Sequence, residues 1–111
     1  MFEKLFGAGS SVADIDVQEA KRRQDAGALL VDVRELHEWQ EGHARGALHV
    51  PLGDFDRRMG DIPKDREVLL ICRSGNRSRT AARLLERAGY TLVVNVQGGT
   101  SAWIRQALPL G

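Results

Sequence analysis

Val68-Leu69-Leu70-Ile71-Cys72-Arg73-Ser74-Gly75-Asn76-Arg77-Ser78-Arg79-Thr80-Ala81-Ala82-Arg83-Leu84-Leu85-Glu86-Arg87-Ala88-Gly89 carries the strand, loop and helix on which the fold turns. Val68 to Ile71 is the strongest strand in the chain, and it runs straight into Cys72. Cys72 to Ser78 has loop chemistry, because glycine and asparagine accept backbone conformations with positive φ. Ala81, Leu84, Leu85 and Ala88 then repeat at helical spacing, with Arg79, Arg83, Glu86 and Arg87 on the other side and Gly89 as the stop.

The same alternation extends in both directions. Asp16 followed three residues later by Glu19 reads as an N-cap with a capping box, opening a helix to about Ala26 before Gly27. Leu29-Leu30-Val31-Asp32-Val33 suits a strand buried on both faces. A short helix is expected from about Glu35 to Gln40, a short strand at Leu48-His49-Val50 closed by Pro51, and a helical turn or two from Gly53 to Met59. Leu92 to Val96 reads as the last strand, and Thr100 to Leu108 as a closing helix ended by Pro109. Strands alternating with helices pair in parallel through right-handed crossovers, which gives an α/β fold in three layers. Working sites in such folds gather at the carboxyl ends of the strands, where Cys72 stands.

At 111 residues, with 42% hydrophobic and 28% charged residues, the chain has the size and composition of one folded domain. Residues 12–111 are expected to form it. Met1 to Ser11, ending in Gly7-Ala8-Gly9-Ser10-Ser11, reads as a flexible N-terminal arm. Sixteen Lys and Arg against fifteen Asp and Glu leave a net charge of +1, which gives no reason to expect nucleic acid or an acidic membrane as partner. No apolar run approaches the ~20 residues of a membrane helix, and no secretory signal is visible, so a cytoplasmic location is expected.

Cys72 is the only cysteine, which excludes an intrachain disulfide, a Cys-x-x-Cys redox pair and a mainly thiolate zinc site. Whatever a reactive Cys72 becomes must therefore be discharged by an outside molecule. A cysteine reacts as thiolate, and three features here favour the anion. A helix N-terminus follows the loop, the short polar residues let backbone N–H groups turn inward, and Arg73 and Arg77 add cations. The alternative is an inert cysteine at the end of a core strand.

Other candidates have plainer readings. Asp32 and Arg34 stand at a strand end, as a structural ion pair or as a brace for the cysteine loop. His37, His43 and His49 lack metal-ligand spacing, so no metal is assigned and His43 reads as a turn-stabilising residue. Trp39 and Trp103 read as packing residues, and Lys21-Arg22-Arg23 as a solvated helix face.

Cys72-Arg73-Ser74-Gly75-Asn76-Arg77-Ser78 resembles the active-site loop of the rhodanese family of sulfurtransferases. Val31-Asp32-Val33-Arg34-Glu35 is similar to that family's Asp-Val-Arg strand end. Glu38 to Ala47 with Val50-Pro51 resembles its Gly-His-Ile-x-Gly-Ala-x-x-x-Pro segment, except that Ala44 stands where isoleucine is more frequent. Gln97-Gly98-Gly99-Thr100-Ser101-Ala102-Trp103 resembles its glycine-rich C-terminal motif. The match runs in order from about Ile15 to Trp103.

The resemblance implies a rhodanese-like three-layer α/β/α fold with a mainly parallel five-stranded sheet. It implies a thiosulfate sulfurtransferase in which Cys72 takes a sulfane sulfur from a small anionic, thiosulfate-like donor, holds it as a persulfide, and passes it to a thiol, cyanide or a protein acceptor. Arg73, Ser74, Gly75, Asn76, Arg77 and Ser78 would cradle the transferred sulfur, and no cofactor is implied. A persulfide carrier or protein-binding module with little turnover of its own is the alternative. A cysteine phosphatase or arsenate reductase fits less well, because Cys-x5-Arg is needed to grip phosphate and Ser78 occupies the sixth position after Cys72.

Overall fold

The computed structural model describes residues 12–111, so the expected arm at Met1 to Ser11 lies outside the described residues. Five strands form one sheet: β1 Ala13–Ile15, β2 Leu29–Asp32, β3 Leu48–His49, β4 Val68–Ile71 and β5 Val93–Val96, in the order β1-β5-β4-β2-β3. Every pairing is parallel. The helices are α1 Val17–Asp25, α2 Leu36–Gln40, α3 Phe55–Arg58, α4 Asn76–Arg87 and α5 Gly99–Arg105, with single 3₁₀ turns on both sides of α3.

Alternation along the strands divides the core into two layers. Leu30, Leu69, Ile71, Val94 and Val96 face Val17 and Ala20 of α1 and Ala102 and Trp103 of α5. Val31, Val68, Leu70 and Val93 face Phe55 of α3 and Ala81, Ala82 and Leu85 of α4, together with Cys72. Both faces of β4 are covered and all four of its residues are buried, which is why it reads as an unbroken apolar run. Ala44 is fully buried in the Trp103 layer, so the departure at that position bears on packing.

Several boundaries differ from expectation for local reasons. β1 gives no sequence signal because Ala13-Asp14-Ile15 is a three-residue edge strand whose first two residues are exposed. The capping box expected at α1 is half formed. Asp16 Oδ1 accepts the Glu19 N–H at 2.9 Å, but the Glu19 carboxylate turns to Arg22 and Arg23 instead of back to the cap. Helix α4 starts at Asn76, so Asn76 to Ser78 form its first turn rather than loop. Helix α5 stops at Arg105, ahead of Leu108: Ala107 adopts a positive φ of 57°, and the Trp103 indole N–H donates to Pro109 O at 2.7 Å, turning the chain back.

Candidate active site

β2 and β4 lie side by side, yet the chain leaves β2 toward β3 on one side and leaves β4 toward β5 on the other. This reversal opens a crevice at their carboxyl ends, the usual ligand position in an open parallel sheet. Asp32 pairs with Ile71 there, and the Val33 N–H donates to Ile71 O at 3.0 Å. Cys72 and Arg34 are thereby brought to the same edge.

Cys72 is 1% exposed, which by itself fits an inert core cysteine. Its partners do not. The Gly75 N–H donates to Sγ at 3.1 Å and the Ser78 hydroxyl at 3.3 Å. Burial pushes the thiol up, but the Ser78 hydroxyl and the backbone N–H groups of Ser78, Gly75 and Ser74 together outweigh it, and the thiol lies below its ordinary value. Gly75 makes the turn possible: as N-cap of α4 it holds φ at 117°, in the left-handed region that other residues avoid.

The loop residues therefore divide into two groups. Gly75 and Ser78 are buried and donate to the cysteine sulfur itself, whereas the side chains of Arg73, Ser74 and Asn76 are exposed. Of the two arginines expected to steady the thiolate, neither donates a hydrogen bond to Sγ. Arg77 donates bidentately to Glu38, Nη1 to Oε1 at 2.7 Å and Nη2 to Oε2 at 2.9 Å, and reaches Cys72 only as a through-space charge. The Arg73 side chain is exposed and makes no hydrogen bond or ion pair among the described residues. The groups that donate to the sulfur are the Ser78 hydroxyl and the Gly75 amide.

Asp32 and Arg34 form a buried bidentate pair, with Arg34 Nε and Nη2 on both carboxylate oxygens at 2.8 to 3.0 Å. The remaining hydrogen bond of the guanidinium goes to Gly42 O at 2.8 Å, so the pair braces the turn before β3 and makes no hydrogen bond to the cysteine loop. That loop is held from the other side. Thr100 N–H donates to Cys72 O at 2.8 Å and Ser101 N–H to Arg73 O at 3.1 Å, from the first turn of α5. A side chain at Gly99 would meet both carbonyl oxygens at 2.5 Å, which is why glycine stands there.

Arg34, Glu38, Glu41, Gly42, Arg73, Thr100, Ser101 and Ile104 line an open cleft of about 200 Å³ beside this loop. Its charges are mixed, and Ile104 contributes a half-exposed apolar wall.

Three supporting residues escaped the sequence reading. Glu38 caps the Glu35 N–H at 3.0 Å and also clamps Arg77. Asn95, fully buried in β5, accepts the Ser78 hydroxyl at 2.6 Å and donates to Gly75 O and Asp14 Oδ1. Asp14 is held in turn by Arg79. One signal pointed to Asn95: an amide inside Val93-Val94-Asn95-Val96 is costly unless hydrogen-bonded.

Elsewhere, Trp39 stacks on His43, with ring centroids 3.5 Å apart, and on His49, at 4.6 Å, while His43 Nδ1 donates to Trp39 O. Among the described residues no group of three His, Cys, Asp or Glu could hold a metal ion, and no helix is long and apolar enough to cross a membrane.

The family model of the rhodanese-like domain matches residues 16–106. A protein of Allochromatium vinosum named sulfurtransferase is 41% identical over 101 residues, covering 89% of this chain and 94% of that protein. YrkF of Bacillus subtilis, whose name proposes a sulfur carrier, is 35% identical over 96 residues; the match covers 85% of this chain but only 52% of YrkF. Among solved structures, the crystal structure of a rhodanese-related protein from Thermoplasma volcanium superposes with a TM-score of 0.82 at 26% identity, covering 89% of this chain and 97% of that one.

Proposed function

The chain belongs to the rhodanese-like domain family, and from that premise we propose that it transfers sulfane sulfur through a persulfide on Cys72. The observation that carries this reading is the cradle around Sγ: a buried thiol whose hydroxyl and amide donors outweigh the cost of burial is arranged to be an anion. The Cys72 thiolate attacks the outer sulfur of a thiosulfate-like donor. An S–S bond forms at Sγ, the donor's S–S bond breaks, and sulfite leaves with the electron pair. An acceptor thiolate or cyanide then attacks the terminal sulfur and returns Cys72 to thiolate.

In this reading Arg73, Ser74 and Asn76, exposed on the loop, meet the incoming donor, and Gly75 and Ser78 hold Sγ. Arg77 keeps its helix turn in place through Glu38. Residues 12–111 act as one catalytic unit, and the lone thiol suits the reducing cytoplasm. A phosphatase reading is disfavoured because Ser78, not arginine, stands at the sixth position after Cys72.

A second reading, a carrier that docks on one protein partner, draws support from the cleft beside Arg73, whose mixed charge and exposed Ile104 suit a protein surface as well as a small anion. Steady-state thiocyanate release from thiosulfate and cyanide separates the two. Repeated turnover that vanishes in Cys72→Ala supports the enzyme; stoichiometric loading without turnover supports the carrier; no loading defeats both.

A further inference from the structure

We propose that Asn95 is a positioning residue that acts on Cys72 through Ser78, its side-chain oxygen accepting the Ser78 hydroxyl's hydrogen bond whenever Sγ is neutral and losing that bond when Sγ is an anion. The inference rests on the reading of Cys72 as the sulfur-carrying thiolate. The Ser78 hydroxyl has one hydrogen and two acceptors, Asn95 Oδ1 at 2.6 Å and Cys72 Sγ at 3.3 Å. Cys72 is 1% exposed and the other two residues are fully buried, so each donor counts.

The orientation of Asn95 is fixed by its surroundings. Its amide hydrogens go to Asp14 Oδ1 at 3.0 Å and Gly75 O at 3.2 Å. Exchanging the amide's oxygen and nitrogen would aim oxygen at two acceptors, so Oδ1 faces Ser78. Asp14 is the titratable group facing Asn95 from β1, and Arg79 holds it from α4 at 2.7 and 2.9 Å. Hydrogen bonding to Arg79 first, and to Asn95 second, lowers the Asp14 carboxyl below its ordinary value, so this anchor stays ionised while Cys72 titrates.

With Cys72 as thiol, S–H donates to Ser78 Oγ and the Ser78 O–H donates to Asn95. When the thiol proton leaves to solvent, the hydroxyl turns to the anion and Asn95 Oδ1 loses its donor. When Sγ attacks a sulfane sulfur, the new S–S bond carries the negative charge out to the terminal sulfur, the leaving group departs with its electron pair, and Sγ becomes neutral. The Ser78 hydroxyl then turns back to donate to Asn95 Oδ1. Asn95 therefore favours the loaded persulfide over the free thiolate.

The wild-type protein supplies the first test, with the Asn95 side-chain carbonyl carbon followed by NMR through the titration of Cys72. The resonance should inflect at the pH of half-maximal Cys72 alkylation, and the step should vanish in Ser78→Ala. No inflection there, or one that survives in Ser78→Ala, overturns the inference. Asn95→Leu is the second test. Keeping Ser78 on Sγ, it should lower the thiol pKa and shift sulfur loading toward free thiolate by roughly two- to tenfold, the equivalent of one buried hydrogen bond. In a Ser78→Ala background it should change neither; an upward shift, or an equal effect in both backgrounds, contradicts the proposal. Loading by thiosulfate on the same samples keeps the two readings apart. An Asn95 step without loading sinks only sulfur transfer, and loading without the step sinks only the Asn95 role.

Discussion

Glu38 on α2 and Arg77 on α4 meet fork to fork at 2.7 and 2.9 Å, tying the segment that follows β2 to the helix that follows the cysteine loop. The Arg77 hydrogen bonds hold the Glu38 carboxyl at about 2, against 4.5 for an ordinary glutamate. The folded state thus binds the Glu38 proton more weakly than the unfolded chain does, and the resulting stability is fully present above pH 4.5 and lost as pH falls toward 2. Arg77 is about a third exposed, so water screens the pair, and its contribution is set at about 1 kcal/mol. Urea unfolding from pH 7 to pH 2 should show Glu38→Gln less stable by that amount at neutrality and equal to wild type near pH 2.

Two glycines near Cys72 should respond differently to alanine. At Gly99 an added Cβ meets backbone oxygens at 2.5 Å, so Gly99→Ala must push α5 away from the loop and should cost about 3 kcal/mol. At Gly75 the nearest atoms stand at 3.7 Å, and the penalty is the left-handed backbone alone, about 1 kcal/mol. Chemical denaturation measures both. Equal losses would mean that the space around Gly99 does not matter.

The buried pair of Asp32 and Arg34 should be far more costly to halve than to replace. Arg34→Ala leaves a fully buried carboxylate without its cation, a loss of about 3 to 5 kcal/mol, whereas Asp32→Leu with Arg34→Met should cost much less. Thermal unfolding of the two variants decides it.

Sulfur acidity and donor capture should separate by residue. Ser78→Ala removes the largest stabiliser of the thiolate, so the midpoint of the iodoacetamide pH profile should rise. Arg73→Ala should leave that midpoint in place, because the Arg73 side chain is exposed and makes no contact with Sγ, yet raise the donor KM, more so at low ionic strength. A bulky disulfide reagent should react far more slowly than iodoacetamide, given how little of Cys72 is exposed.

Much of this was legible in the chain. Val68 to Ile71 announces a central strand because burial on both faces removes any polar residue, and the Ala81, Leu84, Leu85 spacing announces α4. The position of Cys72 at a carboxyl end followed from the alternation of strands and helices. What stayed hidden depends on contacts distant in sequence. β1 is an edge strand with exposed residues, so its pairing with β5, and the meeting of Asp14 with Asn95, left no periodic trace. Arg73 and Arg77 both read as cations for the sulfur, but Glu38, 39 residues before Arg77, claims one of them.

The most direct test of the central claim is the intact mass of the protein before and after thiosulfate, and again after cyanide. The account predicts a gain of one sulfur atom that maps to Cys72, is lost to cyanide with release of thiocyanate, and is absent in Cys72→Ala. An unchanged mass after thiosulfate and other sulfane sulfur donors, with Cys72 still a free thiol, would contradict it.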